Sequence, residues 1–141
     1  MATRTLVDTG PLVAWLDRSD GDHALVAAFL KEFNEPLLTT WPVLTEVCHL
    51  LPRHVVGRFM RWVAAGGVEI RELAPVAADG IARLMEKYED LPMDLADASL
   101  VWLATQMNID QIITLDVTDF GIYALPGGQK LHNRLNVRRR R

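Results

Sequence analysis

The stretch Gln111-Ile112-Ile113-Thr114-Leu115-Asp116 decides the fold class. Its apolar residues are consecutive instead of alternating, which is typical of a central strand of a parallel sheet, buried on both faces. Two further strand-like runs lie at Thr5-Leu6-Val7 and at Leu37-Leu38-Thr39-Thr40. Because helical patterns separate these runs, the sequence predicts an α/β fold with a mostly parallel sheet and right-handed crossovers.

The remaining elements follow from helical spacing and from turn residues. Helices are predicted at about 11–16, 23–33, 41–51, 54–65, 76–88 and 95–107, a weak strand at 68–71, and an ambiguous stretch at 120–137 that can hold a last edge strand. No linker or repeat divides the chain of 141 residues. We therefore expect a single domain over residues 1–133, followed by a flexible basic tail at 134–141.

Composition narrows the cellular setting. The single cysteine, Cys48, excludes an intramolecular disulfide framework. No apolar run approaches the ~20 residues that a membrane-spanning helix needs. Met1-Ala2-Thr3-Arg4 leads directly into a strand-like segment without the apolar region of a signal peptide. These features predict a cytoplasmic protein that does not enter a membrane.

The charges are distributed unevenly along the chain. It has 15 basic and 18 acidic residues, and five of the basic ones are Arg134 and Arg138 to Arg141. The body is therefore strongly acidic, which argues against a broad basic face for polyanions and favours carboxylates gathered around cations. The arginine run is open to two interpretations, a solvated chain end or a segment that contacts nucleic acid.

Two of the predicted strands end in aspartate, at Asp8 and at Asp116. Ligand sites of open parallel sheets lie beyond the carboxyl ends of the strands, so these two side chains are candidates for a shared site. The alternative for each is an ordinary turn aspartate that caps the next helix.

Two further acids lie on predicted helices. Glu46 falls at the rim of the apolar stripe of its helix, so it faces the edge of the core or lies along the surface. Asp97 lies in a helix that is apolar nearly all round, where an ionised carboxylate needs a charged partner or a metal ion. Asp94, three residues earlier, is a candidate helix cap, and this capping arrangement alone can also account for an acid at Asp97.

No sufficient set of basic partners lies near these acids in the sequence. If Asp8, Glu46, Asp97 and Asp116 converge, a divalent ion must offset their repulsion, and oxygen ligands select Mg²⁺ or Mn²⁺. Such a cluster suits phosphoryl chemistry. Phosphate-binding glycine loops, zinc-ligand spacings and nucleophilic serine motifs are absent from the sequence.

The acids stand in four stretches that together resemble the PIN-domain nucleases and, within them, the VapC-type toxins of toxin–antitoxin pairs. The stretches are 6–14 (LVDTGPLVA), 39–47 (TTWPVLTEV), 93–100 (MDLADASL) and 113–120 (ITLDVTDF). Each is weak alone, but four in order over residues 3–125 are fairly specific. The resemblance implies a three-layer α/β/α fold with a central sheet of four to five strands.

The resemblance also implies a function. It points to a Mg²⁺- or Mn²⁺-dependent endoribonuclease, to a cognate antitoxin that occupies the site, and to a homodimer. Its catalytic and metal-binding acids map to Asp8, Glu46, Asp97 and Asp116. Asp94 and Asp119 are accessory acids. The hydroxyls of Thr9, Thr114 and Ser99 are candidates to bond to the carboxylates, but an ordinary turn or strand hydroxyl is the favoured interpretation for Thr9 and Thr114, and packing within the helix is the favoured one for Ser99.

Two other functions remain open from the sequence alone. A PIN scaffold with weak or no turnover could serve as an RNA- or protein-binding module. The second alternative is a different metal-dependent phosphoesterase of α/β fold, such as a phosphatase. The sequence lacks the Asp-x-Asp nucleophile pair that haloacid dehalogenase-type enzymes carry after the first strand, because Gly10 stands where the second aspartate would be.

Overall fold

Five short parallel strands form the sheet at the centre of this protein. A computed structural model describes residues 3–136 of the chain. The strands lie in the order β3-β2-β1-β4-β5, and every neighbouring pair is parallel. They are β1 (Thr5–Val7), β2 (Leu37–Thr39), β3 (Glu69–Ile70), β4 (Gln111–Ile113) and β5 (His132–Asn133).

Seven helices connect the strands. They are α1 (Thr9–Leu16), α2 (His23–Glu32), α3 (Trp41–Leu50), α4 (Arg53–Ala64), α5 (Ala77–Lys87), α6 (Leu95–Met107) and α7 (Val117–Phe120), and a 3₁₀ turn covers Pro126–Gly128. The chain steps outward from β1 to β3 and then crosses back to β4, so right-handed crossovers place helices on both faces of the sheet. The predicted α/β class and the predicted strand number are confirmed.

The middle of the sheet is the centre of the hydrophobic core. β1 pairs with both β2 and β4, and its three residues are all buried. Leu6 and Ile112 lie side by side in the β1–β4 register, and both are fully buried. Burial of this kind contributes roughly 1.5–3 kcal/mol per large side chain. The strands that end near Asp8 and Asp116 thus lie at the centre of the core.

Side-chain hydrogen bonds shorten the predicted strand at 111–115 to three residues. The Thr114 N–H donates to the side-chain oxygen of Asn133 at 3.1 Å instead of to a backbone carbonyl of a neighbouring strand. The Asp116 N–H donates to the Thr114 hydroxyl at 3.0 Å. The ladder ends there, and the chain turns into α7, a short helix that the sequence did not predict and that ends where the ambiguous stretch at 120–137 begins.

The first residues of the predicted basic tail are packed onto the domain. The Arg134 guanidinium donates two hydrogen bonds to the Glu35 carboxylate, at 3.0 and 2.7 Å. It also lies over the Phe33 ring, 5.4 Å from the ring centroid. Leu135 is buried. The run Arg138 to Arg141 lies outside the described residues.

The packing of α5 on α6 depends on Gly80. A Cβ atom at this position would lie 2.0 Å from the Trp102 ring, so glycine lets the ring of α6 rest on the backbone of α5. No helix in the described part of the chain is both long and apolar enough to cross a membrane.

Gly80→Ala is expected to destabilise the protein, although alanine normally favours a helix. Overpacking of this kind costs about 1–3 kcal/mol, more than the ~1 kcal/mol gained from helix propensity. Gly57→Ala in α4 is the matched control, because its new Cβ would meet only the end of the Arg61 side chain at 3.4 Å. Urea unfolding should show the first variant less stable and the second unchanged or more stable. Equal stabilisation by both would contradict this account of the contact.

Candidate functional site

A cleft at the carboxyl edge of the sheet collects acidic side chains from five parts of the chain. Its volume is about 480 Å³. The carboxylates that line it are Asp8, Asp20, Glu46, Asp94, Asp97, Asp116 and Asp119. The four acids that the sequence singled out, and both accessory acids, therefore line a single cleft.

Strand pairing brings the first and last of these acids together. Asp8 directly follows β1, and its N–H donates to the Ile113 carbonyl of β4 at 3.0 Å. The Thr114 hydroxyl donates to Asp8 Oδ2 at 2.9 Å and accepts from the Asp116 N–H at 3.0 Å. A single threonine hydroxyl thus connects the two strand ends and orients the Asp8 carboxylate.

The amino end of α6 places Asp97 in the cleft. The side chain of Asp94 caps this helix by accepting from the Asp97 N–H at 2.8 Å, as the capping pattern predicts. Oδ2 of Asp97 accepts a hydrogen bond of 2.8 Å from the Tyr123 hydroxyl. Carboxylate oxygens of Asp97, Asp116 and Asp119 lie within 4.8 Å of one another.

Glu46 and Asp20 complete the wall of the cleft. Glu46 is half-buried on α3, and Leu50, one turn later, lines the same wall. Asp20 comes from the loop between α1 and α2, where its Oδ1 accepts the Asp22 N–H at 2.8 Å. The buried Thr9 side chain also lines this cleft, and its hydroxyl interacts with the Glu46 carboxylate.

Burial and mutual repulsion raise the pKa values of four carboxylates of the cleft, those of Asp8, Glu46, Asp97 and Asp119. Burial raises the pKa of Asp8 to about 6, although hydrogen bonds from Thr9 and Thr114 act in the opposite direction. Burial also raises the pKa of Asp97 to about 8, against the effect of the Tyr123 hydrogen bond, and the charge of Asp8 adds to the rise. The pKa values of Glu46 and Asp119 are raised for the same main reason.

The donor set fits a hard divalent cation. No Lys, Arg or His lines the cleft, and none of its acids forms an ion pair with a basic residue in the described range. All polar side-chain donors that line it are carboxylate or hydroxyl oxygens, which Mg²⁺ and Mn²⁺ prefer. Carboxylates kept close together without a counter-charge are the feature that such an ion would satisfy.

The family can be assigned from the sequence match across this site. The model of the PIN domain family matches residues 5–123. The chain belongs to the PIN domain family. The match includes all four predicted acids, and it confirms the resemblance noted in the four sequence stretches.

Two relatives of this PIN domain are informative. Ribonuclease VapC26 of Mycobacterium tuberculosis (strain ATCC 25618 / H37Rv) is 28% identical over 127 residues, which cover 87% of this chain and 94% of the relative. The crystal structure of Mycobacterium tuberculosis VapC20, described as a sarcin–ricin loop cleaving toxin, superposes with a TM-score of 0.70 at 17% identity. That superposition covers 81% of this chain and 91% of the other, and it supports the fold.

The hydroxyl residues of the PIN domain differ in their placement. The Thr114 hydroxyl donates to Asp8, whereas the Thr9 hydroxyl interacts with the Glu46 carboxylate. Ser99 packs within its helix, as its favoured interpretation predicts: its hydroxyl bonds to the Thr40 hydroxyl at 2.6 Å and donates to the Ala96 carbonyl at 2.7 Å. Ser99 faces the protein interior and not the cleft, because residues two positions apart lie on different faces of a helix.

Two residues at the site of the PIN domain were not predicted. Asp20 carries no motif, and only the fold of its loop brings it to the cleft. Tyr123 lies in the stretch that the sequence left ambiguous, 26 positions from its partner Asp97. Its only sequence signal is an aromatic residue shortly after the fourth acid, which is too common to single out.

Proposed function

We propose that this PIN domain is a metal-dependent endoribonuclease and that it is the toxin of a toxin–antitoxin pair. The observation that carries the proposal is the cleft of seven carboxylates without a basic side chain, set at the carboxyl edge of the sheet. The ribonuclease name of the VapC26 relative supports RNA as the substrate. The toxin description of the VapC20 structure, which has the same fold, agrees with this role.

Four acids would share the binding of Mg²⁺ or Mn²⁺. In this proposal Asp8 and Asp97 bind the principal ion directly, and Glu46 binds through water or orients the attacking water. Asp116 completes the set or holds a second ion when RNA brings its phosphate. The bound metal supplies Lewis acidity, which activates water and offsets negative charge on the phosphate and on the leaving oxygen.

The other residues of the cleft hold this set in place. Thr114 fixes one oxygen of Asp8 and also the backbone of Asp116. Asp94 holds the first turn of α6, which keeps Asp97 turned toward the cleft. In the reaction, water attacks the phosphorus atom, the bond to the leaving oxygen breaks, and that oxygen takes up a proton. The chain contributes orientation and charge more than covalent chemistry.

The partners of the protein follow from this function. We propose an RNA substrate, a cognate antitoxin that covers the cleft, a homodimer, and a cytoplasmic location. An acidic cleft repels a polyanion, so the RNA backbone must be held largely by basic residues outside it. The arginines at 138–141 are candidates, and their contribution would be sequence-independent and sensitive to salt.

A substrate panel tests the proposal directly. The protein is incubated with single-stranded RNA, single-stranded DNA and a small phosphomonoester, each with Mg²⁺, with Mn²⁺ or with a chelator. We expect RNA cleavage with either ion and none with chelator. Hydrolysis of the phosphomonoester alone would instead indicate a phosphatase. Binding of RNA without cleavage under every condition would indicate a binding module, and the nuclease proposal would then be wrong.

A further inference from the structure

Tyr123 reaches the acidic cleft from a different part of the chain than the residue that it contacts. It follows α7, whereas its hydroxyl donates to Oδ2 of Asp97 on α6, at 2.8 Å. The side chain is only 1% exposed, so its hydroxyl is shielded from solvent and directed at a carboxylate. A buried tyrosine hydroxyl normally has a hydrogen-bond partner. Here that partner is Asp97, one of the carboxylates proposed to bind the metal ion.

Two aromatic rings and backbone hydrogen bonds hold Tyr123 in place. It packs edge-on against Tyr88, with the ring centroids 5.1 Å apart, and against Phe120 at 5.2 Å. The Tyr123 N–H donates to the Asp119 carbonyl at 3.0 Å, and the next N–H, of Ala124, donates to the Tyr88 hydroxyl at 2.9 Å. The hydroxyl position is therefore set by packing and by the backbone, with little freedom left to the side chain.

These contacts join two halves of the acidic cleft. Through its backbone Tyr123 is tied to Asp119, beside Asp116, and through its hydroxyl it is tied to Asp97. A carboxylate that repels its neighbours would otherwise rotate away from them. An oriented donor on one oxygen fixes the plane of the carboxylate and leaves the other oxygen for a ligand.

We propose that Tyr123 is a positioning residue, whose hydroxyl holds Oδ2 of Asp97 so that Oδ1 is left for the divalent cation. The inference rests on the proposed metal-dependent function. Residues that orient metal ligands in this way typically change metal affinity or activity by about 10- to 100-fold when they are removed. A hydroxyl that instead competed with the cation for Oδ2 of Asp97 would weaken binding of the cation, and its removal would then tighten that binding.

Two tyrosine-to-phenylalanine variants separate these roles. Tyr123→Phe removes the hydroxyl and keeps the ring, whereas Tyr88→Phe removes a hydroxyl from the same aromatic cluster that contacts only the Ala124 N–H among the bonds described. Mn²⁺ binding is measured without RNA, from the electron paramagnetic resonance signal of the free ion. We expect the Kd for Mn²⁺ to rise about 10- to 100-fold in Tyr123→Phe and to change less than about 3-fold in Tyr88→Phe.

Kinetics and a rescue complete the test. At saturating Mn²⁺ the kcat of Tyr123→Phe should remain low, while its KM for RNA should stay within about 3-fold of the parent, because the phenol does not hold the substrate. Tyr123→4-aminophenylalanine keeps a donor at the same place and should restore Mn²⁺ binding. If Tyr123→Phe fails to fold, the 4-aminophenylalanine variant still tests the proposal, because it keeps the ring and replaces the hydroxyl with another hydrogen-bond donor.

Several outcomes would overturn the inference. Unchanged or tighter Mn²⁺ binding by Tyr123→Phe, or no rescue by the amino analogue, would each show that the hydroxyl does not position Asp97. A parent protein that binds no Mn²⁺ and cleaves no RNA would instead remove the proposed function, and the inference with it. The two failures are thus distinguished by the parent protein alone.

Discussion

Asp97→Asn is expected to lower RNA cleavage by more than about 100-fold, because removing a direct metal ligand should cost at least as much as removing a residue that orients one. The asparagine side chain has the same shape and keeps an oxygen to accept the Tyr123 hydroxyl, so the local packing is preserved. What is lost is the negative charge and one metal-binding oxygen. Asp8→Asn should behave in the same way.

The matched control for this prediction is Asp110→Asn. Asp110 is exposed and precedes β4, so it lies at the opposite edge of the sheet from the cleft. Cleavage of labelled RNA should be unchanged in this variant, and thermal unfolding should show all three variants folded. If Asp97→Asn cut RNA at the parent rate, Asp97 would not belong to the metal-binding set.

Without metal, the protein is expected to lose stability as the pH rises from about 4 to 8. The pKa of Asp8 is raised from 3.8 to about 6 and that of Asp97 from 3.8 to about 8 in the folded state. Within these windows the folded state binds more protons than the unfolded state, so the free energy of unfolding falls with increasing pH. For buried Asp8 alone the change is about 3 kcal/mol. Glu35 has the opposite sign, because Arg134 lowers its pKa from 4.5, so its effect is confined to more acidic solution.

Urea unfolding with a chelator at several pH values measures this dependence. Asp8→Asn and Asp97→Asn should each flatten the slope and stabilise the protein at pH 7. Saturating Mn²⁺ should raise stability most at the higher pH, because the ion binds the ionised carboxylates of the folded state only. A free energy of unfolding that stays level or rises between pH 5 and pH 8 in chelator would show that the cleft does not hold repelling acids.

Much of the fold could be predicted because local signals and burial agree. Consecutive apolar residues at 111–113 marked the central strand, and Asp94 marked the start of α6, which ends at Met107 as expected. The prediction of PIN family membership is confirmed by the family match. The predicted strand end at Leu115 was wrong by two residues, because hydrogen bonds of Thr114 with Asn133 and Asp116 replace the ladder after Ile113.

The contacts that orient the site could not be predicted in the same way. Ser99 lies near Asp97 in sequence, but its hydroxyl forms hydrogen bonds with the Thr40 hydroxyl and with the Ala96 carbonyl. Tyr123 reaches Asp97 only because the chain after α7 folds back between Tyr88 and Phe120. Such bonds depend on tertiary geometry, for which periodicity and capping patterns carry no information.

The hydrogen bond between Thr114 and Asp8 joins residues 106 positions apart. During synthesis, most of the domain must therefore be made before the Asp8 carboxylate can form this bond. A nascent chain that still lacks α7 also lacks Asp119, so its set of acids is incomplete. At the usual rate of about 5–20 residues per second, this leaves an interval of several seconds during translation. A ribosome making this protein would be exposed to a finished nuclease only after the last part of the domain has left the exit tunnel.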